Sequence, residues 1–278
     1  MNYNTWRLYF ERVTGMPEAE INLAEAALIL AADEYPDLDV SRYLAQLDAM
    51  AQALLPRLPT PREPHAAIAA LNAYLFRELK FYGDRENYYD PRNSYLNDVL
   101  MRRKGLPITL SVVVLALAQR LCLPLVGVGL PGHFCVKWQD AGCEIVFDPF
   151  HGGEILDQAS MQTRVRETFH PHAEFEAAWL EPVGAKYILI RMLNNLKALF
   201  VQRQEIRRAH QVVDKLLILD PRAGNEIRDM GVLSLQLGAY QQAAIYFERY
   251  LLSHADAADA ETVHEYLLVA LEQIERLN

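Results

Sequence analysis

The longest apolar run of the chain, residues 106–125, constrains the fold most, because two short strand-like segments follow it directly. Residues 108–121 are apolar nearly all round, which is typical of a central, buried helix. Residues 126–138 and 145–147 read as strands, and the sequence Asp-Ala-Gly at 140–142 favours a turn between them. This order predicts a buried helix packed against a small antiparallel sheet, a fold of the α+β class.

Two polar residues stand at the ends of the predicted strands. His133 follows a Leu-Pro-Gly sequence and is expected to open the first strand, and Asp148 ends the second. If the strands pair, the carboxylate lies beside the imidazole, where it would fix the tautomer of the ring and raise its basicity. The spacing fits two roles equally well. The pair could be catalytic, or it could be a structural pair that joins the ends of two strands.

A catalytic pair of this kind needs a nucleophile, and the N-terminus of the 108–121 helix is the natural place, because a helix N-terminus lowers the pKa of a thiol. Ile108, Thr109 and Ser111 occupy this first turn, and none of them is a cysteine. Cys135 is expected on the same strand face as His133, although on a different element from the usual nucleophile. Thr109, Ser111 and Cys135 are therefore the candidate nucleophiles, although a role as a helix-start residue explains Thr109 equally well. Ile108 is a candidate apolar wall of the pocket.

Residues 81–97 combine turn-forming residues with four tyrosines. This composition predicts a structured loop, and long structured loops often carry functional residues. Asn93 and Asn97 are expected to line the pocket beside His133. A structural role explains the same residues: the asparagines would close turns, and the tyrosines would hold the loop against the core.

The chain on both sides of this core is predicted to be helical. Apolar residues recur at helix spacing over 23–31 and 41–55. We expect an N-terminal helical region at 1–60 that packs on a core at 61–182, followed by a region of helical repeats at 183–278.

An internal repeat with a spacing of 34 residues indicates the fold of the last region. Ala209 aligns with Ala243, and Val213 aligns with Phe247. Small residues let the two helices of a hairpin approach, and large residues fill the space to the next hairpin. The pattern resembles the tetratricopeptide repeat.

Three polar residues are predicted on the first helix of the repeat region. Asn194, Asn195 and Lys197 fall on the helix that lines the groove in repeats of this kind. Side-chain amides in a groove suit hydrogen bonds to a peptide backbone, so a protein or peptide is the expected partner. A solvated helix face explains the same three residues.

Charge and cysteine content exclude several classes of function. The formal net charge is −9, which argues against nonspecific binding to nucleic acid or to an anionic membrane. The three cysteines have no regular spacing, so they indicate neither a disulfide framework nor a zinc site. His133, Asp148 and His151 lack the spacing of a metal motif, and no glycine-rich phosphate loop opens a helix. We expect no cofactor, no metal and no membrane segment, and a cytoplasmic location.

Several segments together carry a family resemblance. They are Leu-Ala-Glu-Ala-Ala-Leu at 23–28, Glu-Tyr-Pro at 34–36, Tyr-Tyr-Asp-Pro-Arg-Asn-Ser-Tyr-Leu-Asn-Asp-Val-Leu at 88–100, Arg-Lys-Gly-Leu-Pro-Ile-Thr-Leu-Ser at 103–111, Gly-Leu-Pro-Gly-His-Phe at 129–134 and Phe-Asp-Pro-Phe-His-Gly-Gly at 147–153. Over nearly the whole chain the sequence resembles the bacterial SirB-type family, which combines a transglutaminase-like core with C-terminal tetratricopeptide repeats. Related core segments occur in an F-box protein of animals.

The resemblance implies a transglutaminase- and papain-like core, a fold whose enzymes use Cys, His and Asp. His133 and Asp148 match the His and the Asp, whereas the cysteine position falls near Ile108. SirB-type proteins resemble regulators named for effects on the expression of invasion genes.

Two functions of different classes follow from these residues. The first is a non-catalytic regulatory scaffold, a pseudoenzyme that binds a protein or peptide through the core pocket and the repeats. The alternative is an atypical hydrolase or an amide or acyl transferase, in which Thr109, Ser111 or Cys135 attacks and His133 and Asp148 assist. The oligomeric state is left open.

Overall fold

A computed structural model describes residues 3–140 and 142–277, which divide into two compact units between Met192 and Leu193. The helices of the first unit are α1 (Tyr3–Thr14), α2 (Leu23–Ile29), α3 (Val40–Leu54), α4 (Pro64–Asn72), α5 (Leu96–Arg102), α6 (Pro107–Leu121) and α7 (Gln158–Thr168). Residues 73–78 continue α4 as a wider helical turn.

The strands of the first unit form a short parallel pair and a larger antiparallel sheet. They are β1 (Tyr82–Gly83), β2 (Lys104–Gly105), β3 (Leu125–Val128), β4 (Cys135–Asp140), β5 (Cys143–Asp148), β6 (Glu154–Leu156) and β7 (Pro182–Val183). β1 pairs with β2, and the five-stranded sheet has the order β6-β5-β4-β3-β7. In the central hairpin Val136 is opposite Phe147, which brings the start of β4 next to the end of β5.

Helix α6 is the centre of this unit, as its sequence predicts. It begins with Pro107 in its first turn, where a missing N–H costs nothing. Its side chains are buried except for Leu115, Gln119 and Arg120. The helix packs against α3 and against β3 and β4 of the sheet, so that an apolar helix is covered on nearly every side.

Short polar side chains begin several of the surrounding helices. Asn22, Asp39 and Asp157 precede α2, α3 and α7, and each accepts the main-chain N–H three residues further on. Caps of this kind satisfy N–H groups that lack a partner within the helix, and each is worth about 1 kcal/mol.

The loop before β4 differs from the prediction that His133 opens the strand. Gly132 has a φ of +69°, and the N–H of His133 donates to the carbonyl of Leu130 at 3.0 Å, so the chain makes a turn here. β4 begins only at Cys135. His133 therefore lies two residues before the strand, at the end of a turn.

The segment 81–97 is more ordered than the predicted loop. It contains β1, a 3₁₀ helix at Pro91–Asn93 and the start of α5. Asn97 consequently lies in a helix and not in a loop, because Leu96, Val99 and their neighbours bury one face of α5 against the core.

The second unit consists of helices, and the boundary between the units falls within the first of them, α8 (Ala185–Gln202). The others are α9 (Ile206–Leu219), α10 (Gly224–Gln236), α11 (Tyr240–Ser253) and α12 (Ala260–Leu277). A Cβ on Gly231 would lie 2.5 Å from the ring of Phe247, so the missing side chain of α10 is what lets α11 approach. The predicted fold class, an α+β core followed by repeat-type helices, is confirmed.

None of the helices in the described part of the chain combines the length and the apolarity needed to cross a membrane.

Candidate functional site

An arginine of α8 fixes the main chain that carries His133. The guanidinium of Arg191 donates to the carbonyls of Leu130 at 3.3 Å and of His133 at 3.0 Å, and it lies 5.5 Å from the ring centre of Phe134. A Cβ at Gly129 would lie 2.9 Å from the hydroxyl of Tyr187 and 3.0 Å from the guanidinium of Arg191, so a side chain here would push these two groups aside. The turn before β4 is therefore held at both of its ends by one side chain.

Asp148 receives several hydrogen bonds at the end of β5. Its side chain is fully buried, and Oδ1 accepts the N–H of Phe150 at 3.0 Å. Oδ2 is 2.8 Å from Nε2 of His133 and 2.7 Å from Nδ1 of His151. The carboxylate thus joins two histidines, one from the turn before β4 and one from the 3₁₀ helix that follows β5.

The protonation of His151 follows from its second neighbour. Nη1 of Arg164 is 3.0 Å from Nε2 of His151, and a guanidinium has no acceptor atom. Nε2 of His151 must therefore accept, which places the proton on Nδ1, where it is donated to Asp148. Arg164 also pairs with Glu154, and its Nε lies 3.5 Å from Oδ2 of Asp148.

Asp148 is ionised in this network. Burial opposes its ionisation, but the hydrogen bonds from His133 and His151 outweigh burial and hold the pKa of the carboxyl well below its ordinary range. Because an ionised carboxylate only accepts, Nε2 of His133 carries a proton. In the neutral ring Nδ1 is the acceptor, and no described residue hydrogen-bonds to it.

Aromatic side chains surround the two histidines. The ring of Phe150 meets His133 edge-on at 6.1 Å and His151 at 5.2 Å between centres, and Tyr88 meets Phe150 at 6.1 Å. Gly83 permits this packing, because a Cβ there would lie 2.4 Å from the ring of Phe150. The rings screen the Asp148 network from water on this side.

The two hydroxyls at the start of α6 are bound to the main chain. Oγ1 of Thr109 accepts the N–H of Leu106 at 2.9 Å and donates to the carbonyl of Asn93 at 2.8 Å. Oγ of Ser111 donates to the carbonyl of Pro107 at 2.8 Å. Both side chains are fully buried, so their hydroxyl protons are used for structure and not shared with His133.

Cys135 lies close to the histidine and the aspartate. A ring nitrogen of His133, Sγ of Cys135 and a carboxylate oxygen of Asp148 all lie within 4.8 Å of one another. The thiol is part of an apolar cluster with Val128, Val146 and other side chains. Burial raises the pKa of Cys135 well above its ordinary value, and the charge of Asp148 raises it further. The thiol is consequently protonated and weakly nucleophilic.

The same three side chains contain the donor atoms that zinc-type ions bind. A cation between them would have to displace the hydrogen bonds of Asp148, whose two oxygens already accept three N–H groups. The guanidinium of Arg164 also opposes a cation at this carboxylate.

The remaining predicted pocket residues are buried in the first unit. Nδ2 of Asn93 donates to the carbonyl of Asn87 at 2.8 Å, and its Oδ1 accepts from Arg102 at 3.3 Å, so this side chain closes the 81–97 segment. Oδ1 of Asn97 is buried, and no described residue donates to it. Ile108 is buried in the first turn of α6.

The residues predicted to bind a partner lie on α8. Asn194 and Asn195 are exposed, whereas Nζ of Lys197 pairs with Asp229 at 2.6 Å and with Glu226 at 3.2 Å. The two amides are therefore available to a ligand, and the ammonium group is already neutralised within the second unit.

Sequence reasoning missed Arg164 and Arg191 entirely. Both act on atoms that are distant in the chain, and neither belongs to a recognisable motif. The position of His151, directly after Asp148-Pro-Phe, indicated that it could lie near the carboxylate, but from the sequence it was considered only as a possible metal ligand.

A profile of the transglutaminase-like superfamily matches residues 41–194, which include α6, the five-stranded sheet and the histidine–aspartate pair. The chain belongs to this superfamily. A tetratricopeptide-repeat profile matches residues 196–267, which extend from the end of α8 to the beginning of α12. The transglutaminase-like core and the repeats implied by the sequence resemblance are confirmed.

The chain is similar to bacterial proteins over most of their length and to part of an animal protein. A UPF0162 protein of Xylella fastidiosa strain 9a5c is 37% identical over 257 residues, covering 88% of this chain and 89% of that protein. A UPF0162 protein of Vibrio cholerae is 30% identical, covering 84% of this chain and 86% of the relative. Human F-box only protein 21 is 33% identical over 153 residues, which are 52% of this chain and 23% of that protein. No solved structure matches.

Proposed function

We propose that this protein is a non-catalytic regulatory scaffold that binds a protein or peptide partner. The observation that carries the proposal is the use of the hydroxyls at the start of α6. The Thr109 and Ser111 protons are donated to main-chain carbonyls, and Ile108 stands where a nucleophile is expected. Membership of the SirB-type family and a cytoplasmic location belong to the same proposal.

The histidine–aspartate pair serves binding in this proposal. Asp148 keeps a proton on Nε2 of His133, so Nδ1 of the neutral ring is left as the acceptor for a ligand. An amide N–H of a peptide is the matching donor. On α8, the exposed amides of Asn194 and Asn195 can both donate to and accept from a peptide backbone.

Binding by α8 gives a direct test of the proposal. A peptide selected from a displayed random library against the full chain should bind about five- to a hundredfold more weakly to an Asn194→Ala/Asn195→Ala double variant, since each neutral hydrogen bond is worth about 0.5–1.5 kcal/mol. Fluorescence anisotropy of the labelled peptide measures the change. Gln241→Ala, which removes an exposed amide from α11, is the matched control. Failure to select any peptide, or equal affinity for the double variant and wild type, refutes this role.

The enzyme remains a second candidate because of one observation, the thiol of Cys135 within 4.8 Å of His133 and Asp148. The scaffold proposal predicts that iodoacetamide alkylates exposed Cys122 in the native protein far faster than Cys135. The expected ratio is about a hundredfold or more, since each unit of raised pKa lowers the thiolate fraction tenfold and burial excludes the reagent. Peptide mass spectrometry separates the two sites.

The opposite result would support the enzyme. A catalytic Cys135 would be labelled before Cys122, and a His133→Gln variant would slow that labelling. His170→Gln, at an exposed histidine, is the control for the change of side chain.

A further inference from the structure

A groove on the second unit has features that the histidine–aspartate site and α8 do not use. It has a volume of about 480 Å³ and lies between the loop before α10 and one face of α11. Its lining residues are Pro221, Arg222, Ile227, Ile245, Glu248, Arg249, Leu252 and Ser253. All of them belong to the second unit.

Large apolar side chains of this groove face solvent. Ile245 is 62% exposed and Leu252 is 87% exposed, and they stand seven residues apart on one face of α11. Ile227, in contrast, is buried and forms part of the floor. Covering two neighbouring aliphatic side chains that are this exposed would contribute favourable free energy to the binding of a partner.

The rim of the groove carries two arginines without an acidic partner. Arg249 donates to the carbonyl of Pro221, and the carboxylate of the nearby Asp220 accepts the main-chain N–H of Arg222, not its guanidinium. Neither guanidinium is ion-paired with a carboxylate anywhere in residues 3–140 and 142–277. Elsewhere in the same unit Arg228 pairs with Asp259 at 2.7 Å. The two unpaired cations give this groove a basic rim on a chain whose formal net charge is −9.

We propose that this groove binds an acidic peptide segment of a partner protein, with a large apolar side chain as its anchor. The anchor would cover Ile245 and Leu252, and carboxylates on either side of it would pair with Arg222 and Arg249. Glu248 lies in the same lining and repels an acidic peptide at one point, which favours a segment whose carboxylates flank the anchor and do not contact the middle of α11. This surface is separate from the exposed amides of α8, so it adds a second recognition element to the proposed scaffold.

A short synthetic peptide tests the groove on the full chain. The probe is acetyl-Asp-Glu-Leu-Phe-Glu-Asp-amide, and its binding is followed by ¹⁵N chemical-shift mapping and by anisotropy of a labelled copy. We expect shifts at the start of α10 and the end of α11. Arg249→Glu and Leu252→Ser should each weaken binding about tenfold, and raising the salt concentration should weaken it further.

Matched controls separate charge, anchor and position. Replacing Leu-Phe in the probe by Ser-Ser should abolish measurable binding, and a probe with lysines for the acidic residues should not bind. Arg207→Glu makes the same charge change at another exposed arginine of the repeat unit and should alter affinity less than twofold. The Asn194→Ala/Asn195→Ala double variant should bind the probe normally, so failure at α8 and failure at this groove are told apart.

Several outcomes would overturn the proposal. They are the absence of binding at millimolar peptide, shifts that map to another surface, and equal weakening by Arg207→Glu. Concentration-dependent self-association that Leu252→Ser abolishes would identify a second copy of the chain as the occupant instead. Because Leu252 and Arg249 are exposed, unchanged melting of both variants checks that a loss of binding is not a loss of folding.

Discussion

Replacing Asp148 by asparagine should lower the free energy of unfolding of the first unit by about 3 kcal/mol, since hydrogen bonds to a buried charged acceptor are lost. The carboxylate accepts the N–H groups of His133, His151 and Phe150, and asparagine offers only one oxygen for them. The NH₂ group of asparagine is itself a donor, so it would face one of these three N–H groups with no acceptor between them. Urea denaturation followed by circular dichroism measures the change.

A second aspartate provides the control for this substitution. Asp157 is exposed and caps α7, a position where asparagine is an equally good residue. Asp157→Asn should therefore change the stability by less than about 0.5 kcal/mol. Equal effects of the two substitutions would show that the Asp148 network does not stabilise the fold.

The effect of Asp148 should also depend on pH. Its pKa is lowered in the folded protein, so the stabilisation is fully present above the pKa of an unfolded aspartate, about 3.9. The stabilisation is lost as the pH falls below that value toward the folded pKa. The difference between wild type and Asp148→Asn should consequently narrow between about pH 5 and pH 3. A difference that stays constant over this range would argue against a lowered pKa.

The sequence was sufficient for the architecture, because the elements involved are long or periodic. Helix α6 is apolar on nearly every side, and this alone predicts a buried centre. The aligned pairs of the repeat, such as Val213 with Phe247, predict helices that pack in hairpins. A periodic hydrophobic pattern of this length identifies a helix even when the ends of the helix are predicted a few residues away from their true positions.

The local geometry of the candidate site was harder to derive from the sequence. The strand predicted over 126–138 is divided into β3 and β4, and β4 begins two residues after His133, because Gly132 allows a turn with positive φ that strand periodicity does not reveal. The helical position of Asn97 depends on the burial of one face of α5 against the core. Both differences come from tertiary packing and from one glycine conformation.

The chemistry of the site depends on contacts between distant residues. Thr109 could be read as a nucleophile or as a structural residue, and the choice depends on the carbonyl of Asn93, sixteen positions away. The tautomer of His151 depends on Arg164, which lies on another helix. A single sequence contains no signal for such pairs, so the donor and acceptor roles became visible only in the folded chain.

Truncating Phe247 to alanine should have the largest effect on the repeat unit, a loss of about 3–5 kcal/mol, the usual cost of removing a buried phenylalanine ring. The side chain is fully buried between α10 and α12, where its ring packs on Gly231 and lies 5.9 Å from the ring of Tyr266. Because Gly231 has no side chain to move into the space, the cavity stays largely unfilled.

Hydrogen exchange can assign this loss to the correct unit, since it reports the opening of each helix separately. Amides of α10 and α11 should exchange about a hundred- to several thousandfold faster in Phe247→Ala, while amides of α6 in the first unit keep their protection. Ile245→Ala removes an aliphatic side chain two positions away that is 62% exposed, and it should leave exchange nearly unchanged. Similar acceleration by both substitutions would mean that Phe247 is not the packing centre of these helices, and that the steric reason given for Gly231 is wrong.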